Sequence, residues 1–379
     1  MTFDDFGLLP RLVGTLHDAG LTDPTPIQQQ AIPHALNGRD VMGLAQTGTG
    51  KTAAFGLPML NKMMRMGKKP APKAVHGLIL APTRELAKQI RDALAQFTEG
   101  SHIKVDLIVG GASISAQINK LKRGTDLLIA TPGRLIDHLN RGSVTLQDAQ
   151  FLVLDEADQM LDLGFIHALR QIAPHLPPHR QTMLFSATMP KHMEELADTF
   201  LDDPVRVQVN PPGMAAEKID QKLYFIPQAE KTHALIRHLG QHPDKQSLVF
   251  TRTKYGAEKL MKTLITAGFA ADSVHGNKSQ GQRDRAIKAF RAGDVMVLVA
   301  TDVAARGLDI PGVAFVYNYE LPNVPDNYVH RIGRTARAGR DGTAVAFCAD
   351  HEMGLLKDIQ KTMKLDIPVA GGDPWDAKK

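Results

Sequence analysis

Short apolar runs alternate with segments of helical period from one end of the chain to the other. In the first half, the runs Val41–Leu44, Gly77–Leu80, Val105–Val109, Leu127–Ala130, Phe151–Leu154, Thr182–Phe185 and Val205–Val209 read as strands. Between them, segments such as Arg84–Phe97 place Leu86, Ile90, Leu94 and Phe97 on one helical face. The second half repeats the rhythm with Lys222–Ile226, Ser247–Thr251, Ser273–His275, Val295–Ala300, Ala314–Asn318 and Ala344–Cys348. Its clearest helix sets Ala257, Leu260, Met261, Leu264 and Ile265 at the i, i+3, i+4, i+7, i+8 spacing. Strands that are apolar throughout and separated by helices predict parallel sheets covered on both faces, an α/β architecture.

The rhythm breaks at residues 210–218, NPPGMAAEK, where consecutive prolines and a glycine with no apolar period read as a linker. The chain thus divides into a first domain over 1–209, the linker, a second domain over 219–365 and a tail over 366–379. The end of that tail, AGGDPWDAKK, reads as frayed, and the basic, proline-containing stretch Met66–Ala74 as a solvated loop. A length of 379 residues lets each domain bury its own core. No apolar run approaches the roughly 18 residues of a membrane span. The start, MTFDDFGLLPRLVG, carries acids where an export signal is basic. One cysteine, Cys348, excludes an internal disulfide framework and, with histidines scattered, any zinc spacing. These features predict a soluble, cytoplasmic protein. The first 216 residues balance their charges, so the whole net charge of +5 lies beyond them. A solvated surface explains that excess as readily as a polyanionic partner does, and only motifs can decide.

AQTGTGKT, Ala45–Thr52, follows a predicted strand and opens a predicted helix. Backbone N–H groups of Gln46, Thr47, Gly48, Thr49 and Gly50 can wrap a phosphate chain, with Lys51 reaching the β/γ-phosphates and Thr52 supplying a hydroxyl to Mg²⁺. Ala45 stands where the strict phosphate-loop pattern has glycine, so a ligand-free turn is the competing reading of this segment alone. DEAD, Asp155–Asp158, directly follows the strand Phe151–Leu154. There Asp155 suits Mg²⁺, held through water, and Glu156 suits polarising an attacking water. An acidic helix start is the alternative for an isolated pair. SAT, Ser186–Thr188, ends another strand, where Ser186 alone reads as an N-cap. In HRIGRTARAGR, residues 330–340, Arg331, Arg334, Arg337 and Arg340 recur every three positions. That spacing crowds like charge on a helix unless anions lie opposite, and arginine's fork of donors suits phosphate.

With these residues in place, the chain resembles the DEAD-box ATP-dependent RNA helicases, in particular their bacterial RhlE-like branch. The ordered set is PTPIQ (24–28), AQTGTGKT (45–52), PTREL (82–86), GG (110–111), TPGRL (131–135), DEAD (155–158) and SAT (186–188). It continues with VFTRT (249–253), HGNKSQGQR (275–283), TDVAARGLDI (301–310) and HRIGRTARAGR (330–340), covering nearly the whole chain. The resemblance implies two RecA-like domains that bind ATP and RNA across the cleft between them. It implies that Gln28 reads the adenine edge with help from Thr22 and Phe6, although Leu21 stands where many members have a stacking aromatic. It further implies that Asp309, beside Gly307, holds the ribose, and that Arg334 and Arg337 meet the γ-phosphate. Ser186 and Thr188 then couple the ATP state to the RNA state. RNA contacts are implied for Pro82, Thr83, Arg84, Gly111, Thr131, Gly133 and Arg134, and in the second half for Arg252, Gln280, Thr301 and Gly307. These side chains suit sugar and phosphate, which predicts sequence-tolerant binding, and 2′-hydroxyl contacts favour RNA over DNA.

The expected activity is RNA-stimulated hydrolysis of the ATP phosphoanhydride, coupled to local separation of short RNA duplexes by a monomeric core. The competing expectation is an ATP-gated RNA clamp or assembly platform with little unwinding. A DNA translocase on the same architecture fits the DEAD and GRTAR forms less well.

Overall fold

The computed structural model describes residues 1–46, 48–189, 191–209, 219–305, 312–335 and 342–375. The chain forms two compact units, Met1–Val209 and Asn210–Lys379. The expected linker, 210–218, lies outside the described residues.

The first unit carries β1 (Val41–Leu44), β2 (Val75–Leu80), β3 (Val105–Ile108), β4 (Thr125–Ala130), β5 (Phe151–Leu154), β6 (Gln181–Ser186) and β7 (Val205–Gln208). They form one sheet in the order β3-β4-β2-β5-β6-β1-β7, every pair parallel. Every residue of β2, β4, β5 and β6 is buried, as a sheet covered on both faces requires. Separate apolar cores fill the two faces: one contains Phe55, Leu57 and Ile79, the other Leu78, Leu152 and Leu184. Alternate strand residues point to alternate cores, so β2 sends Ile79 one way and Leu78 the other.

The second unit carries β8 (Asp220–Phe225), β9 (Ser247–Thr251), β10 (Ala271–Val274), β11 (Val297–Thr301), β12 (Phe315–Asn318), β13 (Thr343–Cys348) and β14 (Val369–Gly371). Their order, β10-β11-β9-β12-β13-β8-β14, is again parallel throughout. All the expected strands are present, with ends shifted by a residue or two. Among the described residues no helix is long and apolar enough to cross a membrane.

Two expectations need correction. The tail read as frayed contributes β14 at the sheet edge beside β8, and the Trp375 indole N–H donates to the Cys348 carbonyl at 3.1 Å. Its apolar residues are few, so periodicity gave no signal. Ile265, placed on the buried face of its helix, is 51% exposed, while Ala257, Leu260, Met261 and Leu264 carry the packing of Lys254–Thr266. For Arg331 the structure supplies the anion that the spacing calls for: the helix Pro325–Ile332 ends beside it, and its guanidinium is buried against Asp302.

Candidate active site

In the first unit every expected site segment from Ala45 onward follows the carboxyl end of a parallel strand. This is where open α/β sheets place ligands, because the loops leaving the strands converge there with helix N-termini. The sheet order separates these segments into two groups. Loops after β1, β5 and β6 carry the phosphate loop, DEAD and SAT; loops after β3, β4 and β2 carry GG, TPGRL and PTREL.

The phosphate loop leaves β1 and enters the helix Lys51–Met66. Gly50 sits there with φ 92°, and a Cβ on it would lie 2.5 Å from Gln28 Nε2 and 2.9 Å from Thr25 Oγ1. Only glycine satisfies both the backbone and the space. Gln28 is buried and donates from Nε2 to the Gly50 carbonyl at 3.0 Å, while its Oε1 accepts from Thr25 N at 2.8 Å. The residue expected at the adenine thus also ties the helix Pro26–Leu36 to the loop. Thr49 Oγ1 donates to the Gln46 carbonyl at 2.7 Å.

Lys51 is only 5% exposed, and its ammonium lies 3.7 Å from Asp155 Oδ1. It makes no hydrogen bond among the described residues. A buried ammonium without acceptors is costly, and an arriving polyanion relieves that cost. Asp155 is buried, and desolvation holds its carboxyl above the usual carboxylate range against the opposing pull of Lys51. The Asp155 carboxylate accepts from the Glu156 N–H at 3.0 Å. Glu156, buried, adopts φ 51° and ψ 52°, a left-handed conformation that residues other than glycine rarely take. Such conformations persist where the surroundings over-determine them, and they cluster at functional sites. Thr52 is partly buried at the helix start. Among the described residues no cluster of three or more His, Cys, Asp or Glu is placed to hold an ion. A hydroxyl and a carboxylate are what the protein offers Mg²⁺, which commonly completes its shell with phosphates and water.

Asp158, to which sequence reasoning assigned no role, joins DEAD to SAT. Its Oδ2 accepts from Ala187 N at 3.1 Å, Thr188 N at 3.0 Å and Thr188 Oγ1 at 3.1 Å. Ser186 ends β6 and donates from Oγ to the Thr188 carbonyl at 2.7 Å, so it does not cap the following helix. Its place inside the DEAD segment was visible, but its partners lie 29 and 30 residues further on, and only the fold brings them together.

On the other half of the sheet end, Thr83 caps the helix Arg84–Phe97, accepting from Leu86 N at 3.3 Å. The Arg84 guanidinium covers Gly111, where φ is 77° and a Cβ would lie 2.1 Å from Arg84 Nη1. Pro82 and Thr131 lie beside these turns, and Gly133 follows within the helix Pro132–Asn140. Arg134 donates to the Ala112 carbonyl at 3.0 Å. Pro82–Arg84, Gly111 and Thr131–Arg134 therefore gather at the ends of three adjacent strands.

Near the amino terminus the picture differs. Phe6 packs on the core, edge-on to Phe3 with ring centroids 6.0 Å apart. Thr22 is exposed and bonds Asp23, and Leu21 is 41% exposed.

In the second unit Arg252 follows β9, and its guanidinium lies 3.8 Å from Glu320 and 3.6 Å from Glu352. Thr301 ends β11, and Gln280 opens the helix Gln280–Ala292. Arg331 forms a two-point pair with Asp302 at 2.6 and 2.8 Å and stacks 5.0 Å over Phe250. Arg334 is buried just beyond it. Thr47, Gly307, Asp309 and Arg337 lie outside the described residues.

The family model described as "DEAD/DEAH box helicase" matches residues 25–196, and "Helicase conserved C-terminal domain" matches 230–339. ATP-dependent RNA helicase CshA of Listeria monocytogenes is 42% identical over 374 residues, covering 99% of this chain and 71% of that protein. Among solved structures, S. cerevisiae Dbp5 bound to RNA and ADP BeF3 is 33% identical with a TM-score of 0.85, covering 98% of this chain and 95% of that one. Mss116p bound to ssRNA and AMP-PNP is 29% identical with a TM-score of 0.87, covering 98% and 79%.

Proposed function

Because this chain belongs to the DEAD/DEAH box helicases, we propose that it is an ATP-dependent RNA helicase whose RNA-stimulated ATP hydrolysis separates short duplexes locally. The observation that carries the ATP half of this reading is the buried Lys51 ammonium, without a hydrogen bond, facing Asp155 beside the left-handed Glu156. Lys51 binds the β/γ-phosphates, and Glu156 orients and polarises the attacking water. Thr52 and Asp155 hold Mg²⁺, Asp155 through water; when bound, the ion neutralises charge on the phosphates. Gln28, with Thr22 and Phe6, reads adenine; Asp309 holds the ribose; Arg334 and Arg337 meet the γ-phosphate.

Asp158 supports a coupling role for SAT, because any shift of DEAD on hydrolysis moves Ala187 and Thr188 through three shared bonds. The loops after β2, β3 and β4, with Arg252, Gln280, Thr301 and Gly307, take the RNA backbone. Their glycines, hydroxyls and arginines are suited to phosphate and sugar, so binding is sequence-tolerant. The RhlE-like branch and a cytoplasmic, monomeric state belong to the same proposal; the lone, buried Cys348 is compatible with a reducing compartment.

The test is to compare binding and strand separation of one short RNA duplex with ATP, with a non-hydrolysable analogue and without nucleotide. Separation that requires ATP supports the helicase. Tight ATP-dependent binding without separation favours the clamp.

A further inference from the structure

Gln117, on the helix Ile114–Leu121, is 5% exposed and belongs to none of the segments assigned above. Its side chain joins three elements. Nε2 donates to the Val109 carbonyl at 3.0 Å, just past β3, where the chain turns into Gly110 and Gly111. Oε1 accepts from Arg134 Nη1 at 3.2 Å and faces His138 Nε2 at 3.1 Å, both on the helix Pro132–Asn140.

The bond to Val109 determines which end of the amide is the oxygen, so His138 must present Nε2–H to it. Ser143 Oγ lies 2.8 Å from His138 Nδ1 and 3.0 Å from the His138 carbonyl, two acceptors that share its single hydroxyl hydrogen. The ring is fully buried, and burial, with Arg134 adding to it, pushes its pKa down, consistent with a neutral ring beside that guanidinium.

The consequence falls on Arg134. Both hydrogens of its Nη1 are committed, one to Gln117 Oε1 and one to the Ala112 carbonyl at 3.0 Å. Its Nε and Nη2 make no hydrogen bond among the described residues, and Nε lies 3.6 Å from Asp137. The guanidinium is thus pinned by one nitrogen, with donors left over for an incoming oxygen anion. The same amide holds the turn carrying Gly111.

We propose that Gln117 is a positioning residue for RNA, holding Arg134 and the turn after β3 in the geometry that receives a backbone phosphate. The inference rests on the reading of Arg134 as an RNA contact. Without Gln117 the guanidinium must be ordered at the moment of binding, which costs affinity.

The test is a double-mutant cycle on the full chain, with single-stranded RNA affinity measured in the presence of a non-hydrolysable ATP analogue. Gln117→Leu should weaken RNA binding about tenfold, the scale of one lost hydrogen bond to a charged group, and leave ATP affinity within about twofold. On an Arg134→Ala background the same substitution should cost clearly less than it does alone, because the part of its effect that passes through that side chain is gone and only the hold on the turn after β3 remains. Gln117→Asn keeps an amide but is one methylene too short to join all three groups; it covers the case in which leucine prevents folding, and its loss must likewise shrink on the same background. Parental RNA affinity in the Gln117 variants overturns the inference alone. So does a loss that persists undiminished in the double variant. Parental affinity in Arg134→Ala overturns the underlying reading as well.

Discussion

Replacing Lys231 by methionine should strip the second unit of several kcal/mol. Lys231 opens the helix Lys231–Gln241, and both it and Glu352 are 0% exposed. Its ammonium donates to the Tyr319 and Phe347 carbonyls at 3.0 Å each and to Glu352 Oε2. Methionine fills similar volume but leaves two carbonyls and a buried carboxylate without that donor. The carboxylate keeps Leu321 N at 3.2 Å, Ala349 N at 3.0 Å and Arg252 at 3.6 Å. Breaking one side of a buried pair costs about 3–5 kcal/mol. For a unit of this size, at about 2–4 °C per kcal/mol, the melting temperature should fall by roughly 6–20 °C. Trp375, the only tryptophan, reports it directly, since its indole bonds the Cys348 carbonyl next to Ala349. Its fluorescence should follow unfolding of this unit in heat or urea. Burial already lowers the Lys231 pKa, with Glu352 opposing that shift. In Glu352→Gln the opposition is gone and the native pKa falls further, so from the lowered native pKa up to the unfolded lysine value the unfolded chain binds more protons than the native one. Stability of that variant should therefore rise with pH relative to the parent. A loss below about 1 kcal/mol in Lys231→Met, against the 3–5 expected, or a pH-independent deficit in Glu352→Gln, would refute this account.

Glu156→Gln should retain ATP binding and lose at least about 100-fold in turnover, as removal of a general base does; near-parental hydrolysis in a single-turnover assay means another group activates water. Gly50→Ala should weaken ATP at least about tenfold, because strain of roughly 1–3 kcal/mol at positive φ adds to the clash with Gln28; calorimetric titration giving the parental affinity would contradict the loop geometry. Arg337→Ala should erase RNA-stimulated hydrolysis, a finger effect of about 10³–10⁵-fold, and Arg337→Lys should rescue poorly because a point charge does not replace a fork. Undiminished stimulation in the alanine variant removes Arg337 from the γ-phosphate.

The strands and the chemistry-bearing segments were legible along the chain because both are local. A strand buried on both faces must be apolar at every position, as Phe151–Leu154 is, and a phosphate loop must keep its glycines and lysine contiguous. What could not be read is whatever depends on neighbours distant in sequence. Asp158 is one residue among four acids and alanines until the fold sets it against Ala187 and Thr188. Gln117, Lys231 and Glu352 look like ordinary surface polar residues, since a polar side chain in a sequence is normally paired with water. Burial reverses that expectation: once water is excluded, each polar atom must find a partner, and only the folded chain supplies it. The sheet order is likewise tertiary. Adjacency of β3, β4 and β2 brings Gly111, Arg134 and Arg84 to neighbouring turns from positions up to 50 residues apart, because parallel strands pair through crossovers whose packing, not sequence proximity, selects the neighbour.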